Sequence, residues 1–238
     1  MTTTTMRLPE ALPLSHSQQL RAKIELVLPE LLTAVHAITE HPRVAELYPE
    51  YLITLHGMVR ATVPLMRAGA DRSQALAETD PVAAALATYL TKHIPEEVNH
   101  DIWLLEDLEV LGWDRAAVLA QPPSATVASL VGSQYYWIFH YHPVALLGYM
   151  EIMEGYPPTE EWVRDLIAAT GLPQQAFRSF SRHARLDIHH RHDLHAVLDD
   201  LPLSADHAAI IGVSALQSTH LAARALREVV RNASAGVA

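Results

Sequence analysis

The stretch SRHARLDIHHRHDLH, Ser181 to His195, carries five of the fifteen histidines of a 238-residue chain. Its helical phase decides how the rest of the sequence is read. On a helix that advances about 100° per residue, His183, Asp187 and His190 fall within about 60° of one another. His189, His192 and His195 point to other sides. One subset converges, H-x3-D-x2-H, and it places two imidazoles and a carboxylate where they can share a ligand. The other three histidines read as surface.

The helical pattern continues outward from this segment. From His16, apolar residues Leu20, Ile24, Val27 and Leu31 recur at threes and fours, and Ser15 with Gln18 predicts a capping box. Further helices are predicted at about 43–68, 82–112, 124–154, 159–170, 173–198 and 204–231. Breaks are expected at MRAGADRSQ, LGWDRAAVLAQPPSA, EGYPPTEE and GLPQQ, and Ser204 is expected to cap the last helix. Pro29, Pro49, Pro64, Pro95 and Pro143 predict kinks or restarts. No alternating strand pattern and no solenoid period is found. The expectation is an all-α, single-domain helical bundle of about seven to eight helices over residues 15–231, between a flexible arm (1–14) and a flexible tail (232–238).

Composition narrows the functions available. Half the residues are apolar and only 9 are glycine, which suits packed helices rather than disorder or a nucleotide-binding loop. A formal charge of -10 and the absence of a basic stripe argue against nucleic acid as a partner. With no cysteine, disulfides, thiolate-held clusters and thiol nucleophiles are excluded, in keeping with a cytoplasmic location. No signal peptide pattern and no membrane-length apolar run is seen. A homodimer stays open.

A second chemical cluster lies in HIPEEVNHDIWLLEDLEVLG, residues 93–112. Glu97 and His100 are three apart, which predicts one helix face, and Asp187-x-x-His190 repeats the pair. A carboxylate-x-x-His from each of two helices is half of a carboxylate-bridged di-iron recipe in a helical bundle. Glu154, in the apolar segment LLGYMEIMEGYPP, is expensive to bury without a partner, and His183 fills the place of the remaining acid. The candidate ligands are therefore Glu97, His100, Glu154, His183, Asp187 and His190. Such a mixed N/O set suits two redox-active divalent ions better than one tetrahedral zinc. Beside it, His93 reads as a surface histidine or as support for a ligand, and Asp107 as a solvated acid within reach of one. Tyr136 and His140, in the aromatic run GSQYYWIFHYH, fall near the stripe leading to Glu154 if the helix passes Pro143.

The three segments EEVNHDIWLLEDLEVLG, GYMEIMEGYPP and RHARLDIHH resemble the haem-oxygenase-like di-iron oxidases and oxygenases over roughly residues 85–200. The last motif agrees with that family in spacing, position by position. The Glu97-to-His100 separation is similar to that of the fatty-acid-decarboxylating, alkene-forming branch. The resemblance implies a haem-oxygenase-like fold, two iron ions and O2 as co-substrate. It also implies a small organic substrate, a fatty acid or an amino-acid derivative, undergoing C–C cleavage, desaturation or N-oxygenation in the making of a specialised metabolite. By the family's arrangement Glu97, His100 and His183 would hold one iron, and Glu154, Asp187 and His190 the other. Glu154 is preferred to Glu151 because the family places its acid shortly before a proline, here Pro157 and Pro158.

Three other readings stay open on sequence. A haem binder would take His16 or His36 as its axial ligand. A ferritin-like oxidase would draw a further acid from Glu25, Glu46 or Glu50. A non-catalytic helical binding module would carry its histidines incidentally.

Overall fold

A computed structural model describes residues 14–234 of the chain; the predicted N-terminal arm up to residue 13 and residues 235–238 lie outside the described residues. The elements are α1 (His16–Glu25), α2 (Leu28–Thr39), α3 (Val44–Val59), α4 (Thr62–Leu76), α5 (Pro81–Glu97), α6 (His100–Val110), α7 (Arg115–Ala120), α8 (Ala125–His140), α9 (Leu146–Glu154), α10 (Glu160–Thr170), α11 (Arg178–Asp200) and α12 (Ala205–Ser234). Among the described residues there is no strand. The Ser15 capping box is present, and the Ser204 hydroxyl accepts the His207 N–H at the start of α12.

There are more helices than the seven to eight expected, because four predicted helices divide and the expected break LGWDRAAVLAQPPSA holds the short helix α7. The first predicted helix parts at Leu26–Val27 between α1 and α2. The chain parts at Arg60–Ala61 between α3 and α4 and at Val98–Asn99 between α5 and α6. Between α8 and α9, Tyr141 leaves the helical region (φ -135°, ψ -95°) ahead of a 3-10 turn at Pro143–Ala145. The break expected at MRAGADRSQ is absent. That segment lies inside α4, where Gly69 is buried against Leu146 and Leu90, so packing overrides the turn-like composition. Pro49 and Pro95 likewise sit within α3 and α5 without ending them. Helix α12 runs to Ser234, past the predicted tail boundary at residue 232.

The core is organised around α12, which packs on α1, α2, α3, α8 and α9. One apolar cluster gathers Leu65, Leu86, Leu90, Leu146, Tyr149 and Ile211. A second gathers Tyr48, Leu52, Leu105, Phe177 and Leu226. Helix α9 is pressed hardest against the centre. A Cβ at Gly148 would stand 2.2 Å from the Ile211 carbonyl oxygen and 2.7 Å from the Ala215 nitrogen, so only glycine lets the two backbones approach this closely. Eight of the nine α9 residues are buried, among them two acids, Glu151 and Glu154. In an apolar interior each needs a compensating partner, and those partners come from α5 and α11.

Candidate metal centre

Helix α5 begins with Asp80 capping the Val82 and Ala83 N–H groups and ends at Glu97, with His93 one turn earlier on the same buried face. Sequence reasoning expected Glu97 and His100 on one continuous helix. Instead Val98 is extended and Asn99 is left-handed (φ 75°), so Glu97 closes α5 and His100 opens α6. Asparagine is among the few non-glycine residues that take this conformation readily. The two side chains still meet, with His100 Nδ1 3.2 Å from Glu97 Oε2. Here the E-x-x-H spacing works through a kink rather than along a helix face.

Helix α11 carries His183, Asp187 and His190. Its own cap residue, Phe177, offers no side-chain hydrogen bond. The buried Asp107 carboxylate of α6 supplies it instead, accepting the N–H groups of Arg178 (3.2 Å) and Ser179 (2.9 Å). Asp107 is thus a clamp rather than a solvated acid, tying the helix of His100 to the helix of His183. Sequence gave little sign of this, because the two partners lie about seventy residues apart. Asp107→Ala should strip both N–H groups of their acceptor and lower stability by roughly 2 kcal/mol. For a chain of this size that is a drop of roughly 4–8 °C in the unfolding midpoint, and an unchanged melting curve would contradict the clamp.

The six candidate ligands converge with His93 on one buried centre. His93 Nε2 is 3.0 Å from Glu154 Oε2, and its Nδ1 is 2.9 Å from Glu96 Oε2. His190 Nδ1 stands 3.1 Å from Glu97 Oε1 and 3.6 Å from Asp187 Oδ1. The His183 ring packs edge-on to His100 at 4.9 Å, and its Nδ1 donates to the Ser179 carbonyl at 2.8 Å, which leaves Nε2 free as an acceptor. The ligating atoms of His93, Glu97, Glu154 and His190 all lie within 4.8 Å of one another. Four buried polar atoms, Glu97 Oε1, Glu154 Oε1, Asp187 Oδ1 and His190 Nδ1, make no well-aligned hydrogen bond, although Glu97 Oε1 and His190 Nδ1 face each other at 3.1 Å. Several such atoms in one spot call for a cation, and the donor types fit iron.

Burial and mutual charge shift the groups of this cluster in both directions. Burial, and then the Glu154 carboxylate, push Asp187 up to about 8. Burial also raises Glu154. For His93, burial alone would lower the pKa, but Glu154 and Glu96 outweigh it and hold the imidazole up at about 9. Burial likewise works against ionisation of Glu97, yet the His100 and His190 imidazoles keep it below the ordinary carboxylate range. His183 is lowered by burial and by the neighbouring His100.

The remaining expected residues are placed as follows. Glu151 is fully buried, with Oε1 3.0 Å from His195 Nε2, so His195 is a partner of a buried acid and not the surface residue its helical phase suggested. His189 and His192 are exposed. Tyr136 and His140 face outward rather than toward Glu154, because α8 stops before Pro143. Glu25 and Glu46 are exposed and Glu50 is half-buried. A second titratable group, Asp80, His142 and His207, sits at the opposite end of α5. There His142 Nδ1 accepts the Val144 N–H and Nε2 meets Asp80, so both ring nitrogens are already used.

A cavity of about 400 Å³ opens between α2, α3, the stretch from the end of α9 into α10, the start of α11 and α12. Leu55, Met58, Met153, Tyr156, Trp162 and Phe180 line it, and no Lys, Arg, Asp or Glu does. Met153 directly precedes Glu154, and Phe180 lies one turn before His183. Sequence reasoning missed this cavity, since its walls come from five separate segments. His36 also borders it.

Residues 58–224 match the family described as "Iron-containing redox enzyme". No curated protein sequence matches the chain. Among solved structures, a domain of unknown function with a haem oxygenase-like fold from Shewanella denitrificans OS217 superposes with a TM-score of 0.78 at 19% identity, covering 92% of this chain and 95% of that one. A TenA homolog from Pseudomonas syringae pv. tomato DC3000 gives 0.70 at 12% identity, over 94% and 99% of the two chains. A CADD-like protein of unknown function from Nostoc punctiforme PCC 73102 gives 0.64 at 14%, over 90% and 98%. These structures establish the haem oxygenase-like fold. No described helix is long and apolar enough to cross a membrane.

Proposed function

Because the chain belongs to the iron-containing redox enzyme family and has its haem oxygenase-like fold, we propose that it is a non-haem di-iron oxidoreductase that uses O2 on a small, largely apolar organic substrate. The observation that carries this reading is the buried centre itself, where Glu154 Oε1 and Asp187 Oδ1 lack partners and ligating atoms of His93, Glu97, Glu154 and His190 lie within 4.8 Å of one another. Glu97, His100 and His183 would hold one iron, and Glu154, Asp187 and His190 the other. Bound iron supplies the electrons that activate O2 toward a C–H, C–C or N centre.

The chain's own residues do the positioning. Three carboxylates offset the charge of two divalent ions, and their raised or lowered pKa values set when they are free to ligate. The Ser179 carbonyl fixes the His183 tautomer, and Asp107 fixes the register of α11 against α6. The mainly apolar cavity, whose wall residues Met153 and Phe180 stand next to Glu154 and one turn from His183 in the chain, suits an apolar body. That lining favours a fatty acid, or an apolar amino-acid derivative, over a polar metabolite. C–C cleavage, desaturation and N-oxygenation are all compatible with such a site.

The test is rapid mixing of Fe(II)-loaded protein with O2, alone and with a panel of aliphatic carboxylic acids and amino acids. Acids with an apolar chain should accelerate O2 consumption by tenfold or more (roughly 1.4 kcal/mol of barrier), while strongly polar amino acids should not. Identical rates with and without every apolar acid would contradict the assignment.

A further inference from the structure

The segment HIPEEVNH repeats the spacing of HARLDIHH. His93-x3-Glu97-x2-His100 stands against His183-x3-Asp187-x2-His190, and the fold turns this repeat into a paired arrangement. The His93 and His190 rings stand edge-to-face at 4.8 Å and 85°, and the His100 and His183 rings at 4.9 Å and 87°. Glu97 lies between the two pairs, one oxygen 3.2 Å from His100 and the other 3.1 Å from His190. The six-residue ligand set uses both members of one ring pair but only His190 of the other.

We propose that His93 is a seventh protein ligand, binding through Nε2 the iron held by Glu154, Asp187 and His190. This rests on the di-iron reading above. Three observations support it. First, His93 is 2% exposed and its Nε2 points at Glu154 inside the nest of ligating atoms. Second, its other nitrogen is held by the Glu96 carboxylate at 2.9 Å, the carboxylate–histidine–metal pattern that fixes ring orientation and tautomer in metal sites. Third, a hydrogen bond between His93 and Glu154 satisfies only those two groups. Glu154 Oε1 and Asp187 Oδ1 stay without partners, whereas a cation among the ligating atoms of His93, Glu97, Glu154 and His190 would draw on all four residues together. Four protein ligands would leave that iron fewer positions for substrate than the one that Glu97, His100 and His183 would hold. His183 is one turn from Phe180 in the cavity wall.

Anaerobic Fe(II) titration of wild type, His93→Gln and Glu96→Gln, with a structure of the Fe(II)-loaded wild type, tests the proposal. Glutamine keeps a hydrogen bond to Glu154 but removes the imidazole. The expected result is two irons in wild type and an Fe–Nε2 distance near 2.1 Å, by analogy with other metal–imidazole bonds. His93→Gln should weaken one of the two sites by more than about 100-fold, while Glu96→Gln should weaken it by roughly 10–100-fold, as outer partners do. Two irons in wild type with His93 Nε2 more than about 3 Å from either, beyond any metal–imidazole bond, and weakening in His93→Gln no greater than in Glu96→Gln, would overturn the seventh ligand and leave the di-iron reading standing. A wild type that takes fewer than two irons would overturn both.

Discussion

Asp187→Ala should abolish O2-dependent turnover, by at least about 100-fold, exceeding the usual effect of an outer partner, and yet leave the metal-free protein as stable as wild type or more so. The two halves of this expectation come from the same geometry. Asp187 is 3% exposed, and its Oδ1 has no hydrogen-bond partner. Burial and the neighbouring Glu154 carboxylate hold its pKa at about 8, so a charge at this position opposes folding in the absence of a metal. Removing the side chain takes away no contact on which α11 depends, since its N-terminus is held by Asp107 and its inner face by Ala184, Leu194 and Leu198. A residue that is poor for stability and central to a site is where stability and function part company. His190→Ala should behave alike for activity. His192→Ala should be silent, its side chain being 84% exposed. His195→Ala should not be silent for stability, because it leaves the buried Glu151 carboxylate without its partner. Circular dichroism melts beside O2 consumption would separate these cases, and a metal-free Asp187→Ala protein that fails to fold would contradict the argument.

The second large effect is an opposite response to pH with and without metal. His93 is raised to about 9 from 6.5, so the stability it contributes is complete below about pH 6.5 and is lost as pH rises through 9. Asp187 is an acid raised to about 8 from 3.8. Its proton is held more tightly in the folded chain, so stability again falls as pH climbs from about 4 through 8. His183 is lowered and acts only on the acid side of 6.5, and Glu97, also lowered, acts lower still; neither offsets the trend above pH 7. Metal-free protein should therefore melt roughly 5 °C lower at pH 8.5 than at pH 6.5. Metal binding displaces those protons, so stabilisation by Fe(II) or Mn(II) should grow over the same range. Thermal melts in chelator and in excess metal at the two pH values give the answer. A metal-free protein that is more stable at pH 8.5 would show that the cluster does not hold its protons as described.

Much of this was legible in the sequence, for identifiable reasons. Apolar residues at threes and fours specify helices wherever one face is buried, which made the all-α class readable from Leu20, Ile24, Val27 and Leu31 onward. The spacing of His183, Asp187 and His190 survives in the fold because a helix preserves angular phase along α11. The breaks were harder. Whether a chain bends at Asn99 or runs straight through Gly69 depends on what packs against it, and local composition does not carry that information. The roles of Asp107, His195 and His93 depend on partners 71, 44 and 61 residues away. A one-dimensional pattern offers no sign of such pairings. His93 came nearest, through the H-x3-E-x2-H repeat, but a proline at position 95 ordinarily breaks helical phase, and only packing carries α5 past it.

The reading of this buried cluster as a two-metal centre stands or falls on its metal content. Its most direct test is the iron content of protein loaded anaerobically with Fe(II) and cleared of loose metal, with Mössbauer spectra taken before and after O2. Two irons per chain, high-spin ferrous at first and coupled ferric afterwards, are the predicted result. A single tightly bound zinc with no iron uptake, or a haem Soret band in place of non-haem iron, would contradict it.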